Sequence, residues 1–353
     1  MHRGIANLPA RIEKTLRERL QRSLHVARTP ARVTARELPG EPLPFDEATG
    51  GEFVDFPVGT RWGRPWGTTW LRIEAVAPPV LEGHRRELVI DLGFDGGTPG
   101  FQSEGLAYDV EGRVIKGVEP RTTHLPFPDD VAPGATWTVF VEAASNPHLV
   151  SNPSPDQPDM GLLGDLATAP DRLLYEFRCA DAALLDMEVF ALMLDVQVLD
   201  ELRIELPEHS PRRAQILQGL SDAIDELSPG PVAPNASAAR ARLRPLLDAP
   251  AEASAHRITG VGHAHIDSAW LWPVRETRRK CARTFSNVLE LIDDYPEFVF
   301  ACSSAQQYAW VKEDQPELYA RIREAVTGGR FVPVGGMWVE PDCNMPGPEG
   351  LVR

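Results

Sequence analysis

The chain has 353 residues, 42% hydrophobic and 25% charged, ordinary globular values that exclude a disordered, collagenous or disulfide-stapled protein. Its 51 acidic and 36 basic residues give a formal net charge of −15, and the imbalance is local: residues 1–40 hold nine Arg/Lys against three Asp/Glu, the remainder 27 against 48. So acidic a body repels phosphate backbones, which argues against nucleic acid as a partner and suits a neutral or cationic ligand, or a metal ion.

In chain order, the first element is a helical arm over residues 1–40. Ile5, Leu8, Ile12, Leu16, Leu20 and Leu24 recur at spacings of three and four, one apolar stripe on a helix. The arm docks either on its own protein or on a sister subunit, as a route to a homo-oligomer. It has neither Trp nor Phe for the membrane surface. No apolar run reaches the roughly 18 residues of a membrane span, and the N-terminus lacks the apolar centre of a signal peptide. The four cysteines, Cys179, Cys281, Cys302 and Cys343, form no C-x-x-C pair. They read as free thiols in a reducing compartment, and the expected location is the cytoplasm.

Residues 41–183 read as a β-sandwich, with short β-like runs at 68–76, 87–92, 106–110 and 136–142 between Gly and Pro turns. Trp62, Trp66 and Trp70 read as its core or sheet edge. Residues 184–253 read as a helical connector. Its first apolar face is Leu184, Leu185, Val189, Leu192, Met193, Val196 and Leu199, and further helices are expected over 211–227 and 237–248. From 254 to 353 the pattern is strand (258–265), helix (274–295), strand (298–302), helix (305–327), strand (330–334). That order implies parallel pairing with right-handed crossovers, the first part of a β/α barrel. Three strands do not close a barrel, so the chain reads as the N-terminal piece of a longer protein.

Two segments carry chemistry. In Gly262-His-Ala-His-Ile-Asp-Ser-Ala-Trp-Leu-Trp-Pro273, His263, His265 and Asp267 alternate, so on a strand they face one way, at the carboxyl end where parallel α/β folds bind ligands. One histidine there would be a hydrogen-bonded core residue; imidazoles and a carboxylate together can share a divalent cation, and mixed nitrogen and oxygen donors suit zinc. In Val334-Gly-Gly-Met-Trp-Val-Glu-Pro-Asp-Cys-Asn-Met-Pro346, Glu340 and Asp342 follow the third strand and reach the same rim. Beside a cation either carboxylate stays ionised and can act as ligand or nucleophile. Trp270, Trp272 and Trp338 cluster around these motifs, and flat aromatic faces suit the C–H faces of sugars.

These two motifs together resemble the catalytic-domain start of the glycoside hydrolase family 38 α-mannosidases, in their cytosolic, vacuolar and bacterial branch. Ser303-Ser-Ala-Gln306 and Gly350-Leu-Val-Arg353 fit that branch, and Trp62-Gly-Arg-Pro-Trp-Gly-Thr-Thr-Trp70 is similar to the sandwich preceding its barrel. The resemblance implies a multidomain protein: an N-terminal β-sandwich, a helical connector and the start of a seven-stranded β/α barrel, cut after about three strands. It implies a zinc-dependent retaining enzyme, with Co2+ as another usable metal, that removes terminal α-mannose from oligosaccharides. By the same resemblance His265 and Asp267 are metal ligands, and Asp342 is both ligand and nucleophile. Trp270 lies under the sugar, His263 backs the ligands, and Glu340 steadies the nucleophile's loop. The fourth ligand and the acid/base carboxyl would follow Arg353. Two other readings stay open. One is an amidohydrolase-type metal-dependent hydrolase using both His263 and His265. The other is a sugar-binding module without turnover.

Overall fold

The computed structural model describes residues 7–38, 40–95, 100, 102–147, 172–251, 254–270, 272–340 and 347–349. Helix α1 (Leu8–Thr15) opens with a proline in its first turn and runs on through a π turn (Leu16–Leu20) and a 3-10 turn (Gln21–Ser23). The helical arm ends there. Residues 25–38, expected within it, are strands β1 (His25–Pro30) and β2 (Arg32–Leu38). The reason is long-range pairing: Val33 and Ala35 sit opposite Ile73 and Leu71 and go into the sandwich core.

Eight further strands and a short helix complete the first part of the sandwich, counted among the described residues. They are α2 (Phe45–Thr49), β3 (Val54–Asp55), β4 (Arg61–Trp62), β5 (Gly67–Val76), β6 (His84–Asp91), β7 (Glu104–Tyr108), β8 (Val114–Val118), β9 (His124–Pro126) and β10 (Thr136–Ser145). After them come β11 (Tyr175–Glu176) and β12 (Cys179–Asp186). One sheet runs β1-β12-β6-β9 and the other β3-β2-β5-β10-β7-β8, with a small β11-β4 pair beside them. Side chains alternate across each strand. On β5 and β10, Leu71, Ile73, Val139 and Val141 enter the core between the sheets, where Leu88, Ile90, Ala180 and Ala182 meet them. Trp70 and Phe140 point the other way.

The connector consists of α3 (Met187–Glu205), α4 (Pro211–Glu226) and α5 (Ala236–Leu247). Leu184 and Leu185, expected on its first helix, lie on β12, because Asp186 caps α3 by accepting the Glu188 and Val189 amides at 3.0 Å each. Ile12 and Leu20 of the arm are fully buried among Val189, Leu192, Leu220 and Leu243, and Arg19 donates to the Leu227 and Gly230 carbonyls beyond α4 at 2.6 and 2.7 Å. The apolar stripe is therefore used within the chain. The expected homo-oligomer through this helix has no free apolar face on it among the described residues.

The last segment places β13 (Gly262–His263), α6 (Val274–Asp294), β14 (Phe300–Cys302), α7 (Ala305–Asp314), α8 (Pro316–Thr327) and β15 (Phe331–Pro333) in order. The strands pair in parallel as β13-β14-β15. The single helix expected over 305–327 breaks at Pro316, which has no N–H to continue the ladder and opens α8 instead. One face of α6 packs on this sheet through Phe285, which stacks on Tyr308 at 5.5 Å and meets Phe331 edge-on at 5.6 Å. Its other side packs on β8 and β7, so Trp70, Leu106 and Tyr108 of the sandwich share one core with Phe285, Phe300 and Phe331.

Candidate active site at the parallel strand ends

Strand β13 is shorter than expected. Pairing with β14 stops at His263, so His265 and Asp267 stand on the loop beyond it rather than on a strand. Side chains take over from the strand ladder: Gln307 Nε2 donates to the Ile266 carbonyl at 2.5 Å, and the Cys302 thiol reaches the Ala264 carbonyl at 3.4 Å. The alternation survives without the strand. Ile266 is buried, while His265 and Asp267 turn outward.

His265 is held from both sides. Its Nδ1 lies 2.9 Å from Glu340 Oε2, and its Nε2 faces Asp267 Oδ1 at 3.4 Å. Glu340 can accept a proton from Nδ1, and Nε2 is the ring nitrogen that faces Asp267. Glu340 reaches this position across 75 residues for a local reason. After β15 the chain folds back, and the Met337 and Trp338 carbonyls accept the Ala305 and Gln306 amides at 3.0 and 2.8 Å, two of the otherwise orphaned donors at the start of α7. The Ser303 hydroxyl then donates to Glu340. The adjoining turn needs Ser304 in the left-handed region, φ 69°.

The motif's other residues separate. His263 Nδ1 donates to the Ala301 carbonyl at 2.8 Å, which ties it to β14. Trp270 and Trp338 are about 60% exposed, and Trp270 meets Trp272 edge-on with centroids 5.8 Å apart. Trp272 is anchored, its Nε1 donating to Thr277 Oγ1 at 2.9 Å, and the Thr277 hydroxyl in turn makes a long bond to the Asp267 carbonyl at 3.4 Å. Asp342 lies outside the described residues, as does Cys343. Thr277 and Gln307 carry no sequence signal, because each acts on a backbone carbonyl of a motif that lies elsewhere in the chain.

Among the described residues no group of three His, Cys, Asp or Glu side chains is placed to hold a metal ion. His265 and Asp267 offer two donors of the right kind. Two atoms bound to one tetrahedral zinc at about 2.0–2.1 Å stand about 3.3 Å apart, close to their 3.4 Å. Thiol chemistry is not favoured here: burial pushes Cys302 up to about 11 and Cys281 up to about 12, so both stay protonated at neutral pH. Beside the loop lies a cavity of about 560 Å³ between the sandwich and β13, with Trp66, Asn146, His263, His265 and Trp272 in its walls. Trp62 is sandwich core, donating to the Leu92 carbonyl at 2.8 Å, whereas Trp66 faces the cavity and Trp70 the core shared with α6.

Residues 255–353 match the N-terminal domain of the glycosyl hydrolases of family 38, and residues 29–173 match the jelly-roll domain of α-mannosidases. By these two domains the chain belongs to the family 38 glycosyl hydrolases. Human alpha-mannosidase 2C1 is 34% identical over 95% of this chain and 31% of its own length. Alpha-mannosidase G of Dictyostelium discoideum is 27% identical over 89% of this chain and 28% of its own, and a Saccharomyces cerevisiae alpha-mannosidase 28% identical over 86% and 27%. The chain thus spans about three tenths of the length of these relatives. No described helix is long and apolar enough to cross a membrane.

Proposed function

We propose that the whole protein is a metal-dependent retaining α-mannosidase of the cytoplasm, acting on terminal α-mannose of oligosaccharides. The observation that carries this reading is His265 set between Glu340 and Asp267 at the strand ends of a family 38 domain. His265, Asp267 and Asp342 would hold the ion, zinc or cobalt, which when bound supplies a Lewis acid for sugar hydroxyls. Glu340 accepts from His265 Nδ1, and His263 braces the strand end through Ala301. Trp270 offers its exposed face to the C–H side of the sugar.

In the reaction, the Asp342 carboxylate attacks the anomeric carbon. The glycosidic oxygen leaves with a proton from a carboxylic acid supplied by the remainder of the protein. That group, now a base, takes a proton from water, and the water oxygen displaces Asp342, so two inversions give net retention. The parallel sheet β13-β14-β15 is then the start of the seven-stranded barrel.

The test is proton NMR of the first sugar released from an aryl α-mannoside by the whole protein. α-Mannose first is expected, and β-mannose first refutes retention. Cleavage of an aryl amide or ester without mannoside turnover would favour the amidohydrolase-type reading, and saturable sugar binding without turnover the binding module. Asp342→Asn is expected to abolish turnover and weaken metal binding together, since it removes nucleophile and charged ligand at once.

A further inference from the structure

We propose that the sandwich positions the Asp267 loop through the first turn of α6, with Asn146, Glu276 and Thr277 as positioning residues. Glu276 and Thr277 are neighbours on that turn and both are buried. They face opposite tasks. Thr277 holds the loop at its two ends, accepting from the Trp272 indole and donating to the Asp267 carbonyl, which uses its single hydroxyl proton. Glu276 holds the sandwich, accepting from Asn146 Nδ2 at 2.7 Å at the end of β10. A shift of the sandwich relative to α6 therefore reaches Asp267 through adjacent residues of one rigid helical turn.

The turn is locked by charge. Glu276 also accepts from Arg279 Nε at 3.0 Å and from Arg283 Nη2. Arg279 Nη1 continues to Thr68 Oγ1 on β5 at 2.7 Å and to Glu142 on β10 at 3.4 Å, and Arg283 Nε to Glu104 on β7 at 2.9 Å. The cations come from α6 and two of the carboxylates from the sandwich. Glu276 is compensated within α6, but Glu142 and Glu104 meet Arg279 and Arg283 only when the two parts sit in one register, and a buried charge without its partner is strongly unfavourable. Such a lock gives one discrete position rather than a soft range. The sandwich thereby acts as part of the site's scaffold. The mechanical claim stands on this geometry alone; its consequence for the metal rests on the function proposed above.

The test is hydrogen–deuterium exchange on the 353-residue chain, read by mass spectrometry over residues 264–270, with Co2+ titration followed by its visible absorption. Asn146→Ala lies on the sandwich side and removes the hydrogen bond to Glu276. It is expected to speed exchange at 264–270 by about tenfold while 187–247 in the connector stays unchanged. Thr68→Val, which removes only the hydroxyl held by Arg279, is read the same way if Asn146→Ala does not fold. Thr277→Val is expected to match Asn146→Ala, and Thr277→Ser to restore wild-type exchange, which a purely packing role for Thr277 would not predict. Unchanged exchange at 264–270 in the folded sandwich-side variant overturns the proposal. Where the wild-type chain binds Co2+, Asn146→Ala and Thr277→Val are expected to weaken it about tenfold or more, and unaltered affinity in both overturns the link to the metal. Absence of Co2+ binding in the wild type refutes the metal reading, while the exchange result still decides the positioning role.

Discussion

The sandwich and the parallel α/β segment solve the problem of a core differently. The sandwich core lies between its own two sheets, with Leu71, Ile73, Val139 and Val141 facing Leu88, Ile90, Ala180 and Ala182. Among its described residues the α/β segment has a three-stranded sheet with helices α6, α7 and α8, and it completes its core with residues of the sandwich's outer face: Leu38, Trp70, Leu106 and Tyr108. Helix α6 goes further and buries Arg279 and Arg283 against sandwich carboxylates. The dependence is asymmetric. One region has a core between its own layers, and the region that carries the candidate site shares apolar cover and charge compensation with it. A buried charge network of this kind is weak evidence for net stability but strongly prefers one arrangement.

The largest effect that tests this asymmetry is separation. Residues 254–353 produced alone are expected to precipitate or to show no cooperative thermal transition by circular dichroism. A soluble, cooperatively melting segment would show that the shared core is dispensable. Next in size is Phe285→Ala, which removes a fully buried ring from the shared core and is expected to cost about 3–5 kcal/mol in urea unfolding. Because Trp70 packs in that core, its fluorescence should report the loss; a shift seen only by far-ultraviolet circular dichroism would separate the regions.

Acid provides a third test. Burial raises the Glu276 pKa, but Arg279, Arg283 and the Asn146 hydrogen bond outweigh it and hold the group at about 2, below its ordinary 4.5. A depressed carboxylate contributes stability that is present above about pH 4.5 and lost as pH falls toward about 2, here of the order of 3 kcal/mol. Urea midpoints measured down through that window should fall more steeply for the wild type than for Glu276→Gln. Parallel slopes would remove Glu276 from the account. A smaller effect is expected at Gly117, where β8 touches α6 so closely that an added Cβ would stand 2.8 Å from the Arg283 carbonyl. Gly117→Ala should cost about 1–3 kcal/mol by overpacking, checked by the same unfolding assay. The smallest is Arg242→Ala, which breaks an exposed pair with Glu226 in the connector, at 2.6 Å, and should change stability by no more than about 1 kcal/mol.

Much of this comparison was legible in the primary structure, and its limits follow from particular residues. The helices of the connector and α6 announce themselves by apolar spacing and by caps such as Ser228-Pro-Gly230. Strands β5, β6, β7 and β10 are visible as β-branched and aromatic runs. Strands β1 and β2 are not, because Arg28, Arg32 and Arg36 make them look like the end of a basic helix, and only pairing with β12 and β5 makes them strands. The helical arm's partner was equally open, since an amphipathic stripe says that a face is covered without saying by what.

What the amino-acid order by itself determined is the set of local periods and the place of two short motifs, with His265, Asp267 and Glu340 beyond the ends of parallel strands. Both follow from near neighbours: a period is set by which side chains must leave water, and a motif by its own few residues. Tertiary structure alone decided that β13 stops at His263, that Glu340 closes on His265, and that Trp62 and Trp70 face different cores. It alone joined Glu276 to Asn146, 130 residues away, and Arg279 to Thr68, 211 residues away. Those choices depend on which buried face meets which, and a strand offers two faces with the same alternation, so only the packed partner distinguishes them.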